Sequence, residues 1–153
     1  MKYDISALGN ALVDTQYMVD YEFLESIGLE ADSMTLASAE EQAPIIKKLI
    51  DMGSESVSDC GGSATNSLIA ASNYGSKCHH VCRVSDDADG KKYLESLRSA
   101  GVDHIGVSSK ESDMPTGKCL ILVTPDAKRT MSSRLGVSAF LATSDIKYDV
   151  IDD

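Results

Sequence analysis

The stretch Cys60–Gly75, CGGSATNSLIAASNYG, places two adjacent glycines directly before a predicted helix. Small and apolar residues recur at helical spacing after the glycines, and Gly75 is a typical C-terminal cap. A helix N-terminus presents unpaired N–H groups and a partial positive charge, and glycines let a ligand approach those groups closely. The stretch therefore predicts a turn and helix that can hold electron-rich oxygens.

Two interpretations of this glycine pair remain open. Gly61 and Gly62 either supply the positive φ angle of a tight turn or leave room for a ligand. Asn66 favours the ligand, because asparagine is a poor helix former but offers both a hydrogen-bond donor and an acceptor. No Gly-Lys-Ser/Thr closes the loop, and the third glycine of a dinucleotide fingerprint is missing. Phosphate is therefore not the expected ligand, and a general dehydrogenase domain is disfavoured.

The segments around this helix predict an α/β fold. Tyr3–Leu8 is a short apolar run that ends at Gly9, as expected of a buried strand. Lys77–Val84 has the pattern of a second strand, and Asp89–Ala100 that of a helix. Because strands alternate with helices, we expect a parallel sheet.

Further along the chain, the patterns predict one more helix and a hairpin. Ser38-Ala-Glu-Glu41 has the form of a capping box, and the helix that it opens contains Pro44, from which we expect a frayed first turn. Met18–Ala37 has no sustained helical period, and we expect short strands there. Gly117–Thr124 and Arg129–Leu135 flank a turn and predict a hairpin.

Composition and charge restrict the class of partner. The chain has 153 residues, 42% of them hydrophobic, and 24 acidic against 14 basic side chains give a net charge of -10. Such a surface repels nucleic acid and anionic membranes. No run approaches the roughly 20 apolar residues of a membrane span, and the first residues lack the features of a signal peptide. We therefore expect a cytoplasmic protein that binds neither nucleic acid nor membrane.

The cysteines and histidines do not predict a metal site. Cys78 and Cys82 flank two histidines, but on a strand their side chains lie about 13 Å apart, too far for one zinc ion to bind both. Four scattered cysteines do not form a secreted disulfide framework, so we expect thiols. His104 is expected at the surface.

Polar residues after the first strand are the second candidate site. Asn10 and Asp14 follow the predicted strand end, and ligands of α/β sheets collect at the carboxyl ends of strands. A carboxylate can accept hydrogen bonds from two vicinal hydroxyls at once. Taken alone, Asp14 fits a solvated loop residue better than a binding residue.

Four segments in this order resemble the ribokinase / phosphofructokinase-B family of sugar and nucleoside kinases. They are GNALVD at Gly9–Asp14, GGSATNSLIAASNYG at Gly61–Gly75, VCRVSDDADG at Val81–Gly90 and TPDAKRTMSSRLGVSAFL at Thr124–Leu141. GNALVD and LGVS are most similar to the adenosine-kinase-like branch. Ala127 stands where the family often has a turn glycine.

The resemblance implies a Rossmann-like ribokinase fold with a small β-sheet lid. The lid would come from residues 17–37, 55–60 and 102–116. By position, Asp14 would bind the ribose hydroxyls of the acceptor with help from Asn10, and Gly61, Gly62 and Asn66 would contact the sugar. The acceptor would be adenosine or a related nucleoside or sugar, and exposed lid edges favour a homodimer.

The family's second signature, an Asp-Thr-x-Gly-Ala-Gly-Asp run that supplies the catalytic aspartate and anion hole, does not occur in these 153 residues. The resemblance therefore implies an N-terminal part that is truncated before the C-terminal half and has no catalytic residue of its own. ATP and Mg²⁺ would serve the intact enzyme and not be fully bound by this chain. Tyr148–Asp153 has the pattern of the start of another strand. The alternative is a non-catalytic nucleoside- or sugar-binding module.

Overall fold

The computed structural model describes residues 2–108 and 114–148 and divides the chain into two compact units. The first unit comprises Met1–Val13, Asp59–Gly117 and Leu135–Asp153, and the second comprises Asp14–Ser58 and Lys118–Arg134. Each unit is thus assembled from separate stretches of chain. The strand expected near Tyr148–Asp153 lies almost wholly outside the described residues.

Strands and helices alternate along most of the chain. The strands are β1 Ile5–Leu8, β2 Leu12–Met18, β3 Met34–Leu36, β4 Ser56–Gly61, β5 Cys78–Val84, β6 Val102–Ser108, β7 Gly117–Val123 and β8 Arg129–Arg134. The helices are α1 Tyr21–Ser26, α2 Ala39–Asp51, α3 Ser63–Asn73 and α4 Ala88–Ser99, with two 3₁₀ helices at Gly136–Phe140 and Thr143–Asp145. Among the described helices, none is long and apolar enough to cross a bilayer.

A parallel sheet forms the centre of the first unit, as the alternation of strands and helices predicts. Its strand order is β1-β5-β6, with Ile5 opposite Cys78 and His79 opposite Asp103. One face packs against α3 and α4, whose Leu68, Tyr93 and Leu97 are fully buried. Burial on this face fixes the position of the first turn of α3, which carries the glycine motif.

A five-stranded sheet belongs mainly to the second unit, with the order β3-β8-β7-β2-β4. The predicted hairpin is confirmed, because β7 and β8 pair antiparallel with Val123 opposite Arg129. Its turn is closed by the Thr124 N–H, which donates to the Lys128 carbonyl at 3.1 Å. Ala127 adopts φ +64° there, a conformation that explains why glycine suits this position.

Helix α2 begins with the predicted capping box. The Glu41 N–H donates to Ser38 Oγ at 3.2 Å, and the Ser38 N–H donates to Glu41 Oε2 at 2.7 Å. The expectation of a frayed first turn is therefore wrong, and Pro44 lies inside the helix. Gln42 is fully buried and its amide donates to the Ser132 carbonyl at 2.7 Å, which holds α2 on the sheet.

Two expectations about secondary structure need correction. Residues 21–26 form helix α1 where only short strands were expected, because Asp20 caps the helix and Phe23 and Leu24 are buried beneath it. Within the expected lid segment 102–116, residues 102–108 do not join 17–37 in one small sheet. Val102–Ser108 pairs in parallel along all of β5 and lies in the first unit, as do the described residues that follow.

Candidate functional site

The start of α3 has the open geometry that the glycine motif predicts. Gly61 ends β4, and Gly62 is the N-terminal cap of α3 with φ +100° and ψ 141°. No side chain caps the helix, and its first turn has no acidic residue. Its first N–H groups therefore remain available to an oxygen-rich ligand, reinforced by the helix dipole.

The segment after β1 packs directly against these glycines. The Asn10 carbonyl oxygen lies 2.7 Å from the position that a Cβ on Gly62 would occupy, and Ala64 Cβ is equally close to the corresponding position on Gly9. Both approaches require glycine. The side chains of Asn10 and Asn66 are exposed in the same unit. Four of the five predicted site residues, Asn10, Gly61, Gly62 and Asn66, thus belong to one unit.

Asp14, the fifth predicted residue, is the first residue of the second unit. It lies on β2 and is half-buried. The pKa of the nearby Cys119 thiol is raised, first by burial and in smaller part by the Asp14 carboxylate. A carboxylate is able to accept hydrogen bonds from hydroxyl groups, and the role of Asp14 in binding an acceptor stays a prediction.

The cysteines have the properties of core residues. All four are free thiols and buried. Burial raises the pKa of Cys60 to about 11 and that of Cys82 to about 12, so neither thiol is an activated nucleophile at neutral pH. Across residues 2–108 and 114–148, no three potential metal ligands form a group.

Sequence reasoning missed a buried polar cluster beneath the first turn of α3. Thr65, His80 and Tyr93 are each 0% exposed and hydrogen-bonded to one another. The only signal in the sequence is the pair of histidines inside a largely apolar strand. His104, expected at the surface, is half-buried, and its Nδ1 is buried without a hydrogen-bond partner in the described part of the chain.

Comparison with known proteins gives one family. The model of the pfkB family carbohydrate kinases matches residues 23–151. A curated relative, ribokinase of Mus musculus, is 29% identical over 89 residues, which cover 57% of this chain and 27% of that protein.

Solved structures agree with this family over nearly the whole chain. A probable sugar kinase from Rhizobium etli is 27% identical with a TM-score of 0.82, covering 99% of this chain and 44% of that protein. Adenosine kinase from Sinorhizobium meliloti is 28% identical with a TM-score of 0.79, covering 99% and 45%. The chain thus spans less than half the length of these relatives. It belongs to the pfkB family of carbohydrate kinases and has their ribokinase-like α/β fold.

Proposed function

We propose that this chain is the acceptor-binding part of an ATP-dependent kinase that phosphorylates a hydroxyl group of adenosine or a related nucleoside or sugar. The observation that carries the proposal is the uncapped start of α3 behind Gly61 and Gly62, in a chain that matches an adenosine kinase over 99% of its length. A sugar ring presents several hydroxyl oxygens, and the N–H groups of such a helix start can donate to them.

The residues divide the task of holding the acceptor. Gly62 and the following N–H groups donate to sugar oxygens, while the exposed amide of Asn66 supplies a donor and an acceptor in the first turn. Asn10 contributes from the segment packed on Gly62. The Asp14 carboxylate accepts hydrogen bonds from two vicinal hydroxyls. Holding the acceptor in one orientation is the entropic part of catalysing phosphoryl transfer.

Phosphoryl transfer itself needs groups that these residues do not provide. When bound, Mg-ATP supplies the γ-phosphoryl group and the charge neutralisation that its transfer requires. Among the described residues, no three potential metal ligands form a group that could hold a metal ion by themselves. We propose that the chain binds the acceptor and does not transfer phosphate on its own.

The lid and a homodimer remain part of this proposal. The second unit contains residues 17–37 and 55–58 of the expected lid, and its edge strand β3 exposes Met34 and Leu36 at 58% and 68%. An exposed apolar edge favours pairing with another strand. Sedimentation velocity over a range of concentrations would detect such a dimer.

Calorimetric titration of the chain with adenosine tests the proposal. We expect saturable binding that Asn66→Ala weakens at least tenfold, because the side chain lies at the proposed site. Asn73→Ala is the matched control, since Asn73 is an exposed asparagine at the opposite end of the same helix. Equal effects of the two variants would contradict the site. Absence of saturable binding of adenosine, ribose and fructose would contradict the function.

In a longer protein that carries the catalytic half, Asp14→Ala should raise the acceptor KM strongly and leave ATP binding nearly unchanged.

A further inference from the structure

Three fully buried polar side chains form a closed cluster behind the candidate site. Thr65 Oγ1 lies 2.5 Å from the Tyr93 hydroxyl and 3.2 Å from His80 Nε2, and Tyr93 and His80 Nε2 are also 3.2 Å apart. Each of the three residues is 0% exposed. We call this cluster the Thr65–His80–Tyr93 triad.

The triad joins three elements of the first unit beneath the glycine motif. Thr65 is in the first turn of α3, three residues after Gly62, while His80 lies on β5 and Tyr93 on α4. His80 also reaches β1, because its Nδ1 lies 3.2 Å from the Ala7 carbonyl. The triad therefore connects the start of α3 to the sheet and to the neighbouring helix.

The hydrogen bonds fix the protonation of His80. A carbonyl can only accept, so Nδ1 carries the proton that it donates to Ala7, and Nε2 of the neutral ring is an acceptor. One hydroxyl hydrogen of the Thr65–Tyr93 pair lies between the two oxygens, and the other is donated to Nε2. Every polar hydrogen of the triad then has an acceptor. Burial lowers the pKa of His80, which favours the same neutral form.

Such a cluster is costly unless it is complete. Removing one hydroxyl leaves a buried polar partner unsatisfied, whereas apolar side chains could have filled the same space. Hydrogen bonds are directional, so a complete network fixes the rotation of the first turn of α3 and its position along the helix axis. Apolar packing fixes both less well. The turn defined here carries Gly62 and Asn66.

The triad also contacts the other segment of the site. Gly9 directly precedes Asn10 in the chain. His80 Cε1 lies 3.6 Å from the position that a Cβ on Gly9 would occupy. The same imidazole ring thus packs against the end of β1 and hydrogen-bonds into the first turn of α3.

We infer that the Thr65–His80–Tyr93 triad positions the start of α3 against the end of β1, so that acceptor affinity depends on the Thr65 hydroxyl although Thr65 is buried away from the acceptor. Thr65, His80 and Tyr93 are positioning residues in this inference. The part of the inference that concerns acceptor affinity rests on the proposed function. The part that concerns the position of the α3 start does not. The start of α3 should change its conformation when the triad is broken even without a ligand.

Three substitutions test the inference. Thr65→Val removes the hydroxyl at nearly constant shape, Thr65→Ser keeps it, and Tyr93→Phe removes the second hydroxyl. Ser138→Ala is the control, because it deletes another buried hydroxyl of the same unit, one that donates to the Leu135 carbonyl and to no other group among the described residues. One readout is the pair of backbone amide NMR shifts of Gly61 and Gly62 without ligand, and the other is the dissociation constant for adenosine.

We expect Thr65→Val and Tyr93→Phe to shift these amide signals and to weaken adenosine binding by up to about tenfold, the effect of one lost hydrogen bond. Thr65→Ser should retain the wild-type values, and Ser138→Ala should change neither readout. Wild-type amide shifts in Thr65→Val would overturn the inference. If Thr65→Val fails to fold, Tyr93→Phe decides by the same two readouts.

The two proposals fail separately. If the unmodified chain does not bind adenosine, the proposed acceptor is wrong, and the amide shifts alone decide whether the triad positions the turn. If the chain binds adenosine and both hydroxyl deletions bind it equally well, the proposed function stands and the positioning role is wrong.

Discussion

Replacing Gly62 by alanine is the sharpest test of the geometry at the start of α3. Gly62 has φ +100° and ψ 141°, a combination that residues with a side chain rarely adopt. An alanine Cβ would also lie 2.7 Å from the Asn10 carbonyl oxygen and 3.4 Å from Thr65 Oγ1. The first of these neighbours is backbone and cannot turn away, so one substitution introduces both backbone strain and steric overlap.

The two costs can be estimated separately. Holding alanine in a region that only glycine populates costs about 1–3 kcal/mol, and overlap with atoms that cannot rotate away costs a further ~1–3 kcal/mol. Gly75→Ala is the matched control, because Gly75 has φ +92° with nothing within 4 Å of its Cβ position. We therefore expect Gly62→Ala to lower the free energy of unfolding by about 2–6 kcal/mol and Gly75→Ala by the backbone cost alone.

Urea unfolding followed by circular dichroism measures both values. The extra cost of Gly62→Ala should exceed ~1 kcal/mol, which corresponds to a further fall in Tm of about 2–4 °C for a chain of this size. If Gly62→Ala destabilises the chain no more than Gly75→Ala does, the close approach of Asn10 to Gly62 is wrong, and so is the packing of β1 on α3.

Other predictions concern the charged and titratable groups of the core. Asp145→Asn should cost about 3 kcal/mol of unfolding free energy, because Arg83 donates from Nε and Nη2 to its carboxylate at 2.7 and 2.8 Å; a loss under ~1 kcal/mol by urea titration would count against this ion pair. Burial lowers the pKa of His79 and His80. The unfolded state therefore binds more protons than the folded state below about pH 6.5. The free energy of unfolding should then decrease as the pH is lowered, by up to ~1.4 kcal/mol per pH unit for each histidine. A pH-independent urea midpoint from pH 7.5 to 5.5 would refute this. The four buried thiols should react with a chromogenic disulfide only at the rate of unfolding, and fast labelling of native protein would contradict their burial.

Elements with local signals were predictable from sequence. The Ser38–Glu41 capping box and the apolar spacing after it are sufficient to locate α2, since both depend on residues within a few positions of each other. The turn before Arg129 likewise predicts the β7–β8 hairpin. The glycine pair predicts an open helix start, and the structure gives it one.

Elements that depend on distant partners were not predictable. Helix α1 is only six residues long and depends on burial of Phe23 and Leu24, which no local period reveals. β6 is a core strand because β5 lies beside it, and its sequence alone does not distinguish that place from a lid. Thr65, His80 and Tyr93 come from three elements, so their contact exists only once the fold is known.

The division of the second unit into two stretches of chain has a consequence for protein synthesis. Thr130 Oγ1 accepts a hydrogen bond from the Asp32 N–H across a separation of 98 positions, and among the described residues β3 pairs only with β8. At about 5–20 residues per second, a ribosome needs roughly 5–20 s to make the partner of β3. During that interval the apolar residues of β3 and α2 leave the exit tunnel without the strand that covers them. The nascent chain therefore passes through a stage that invites chaperone binding or aggregation before its second unit can close.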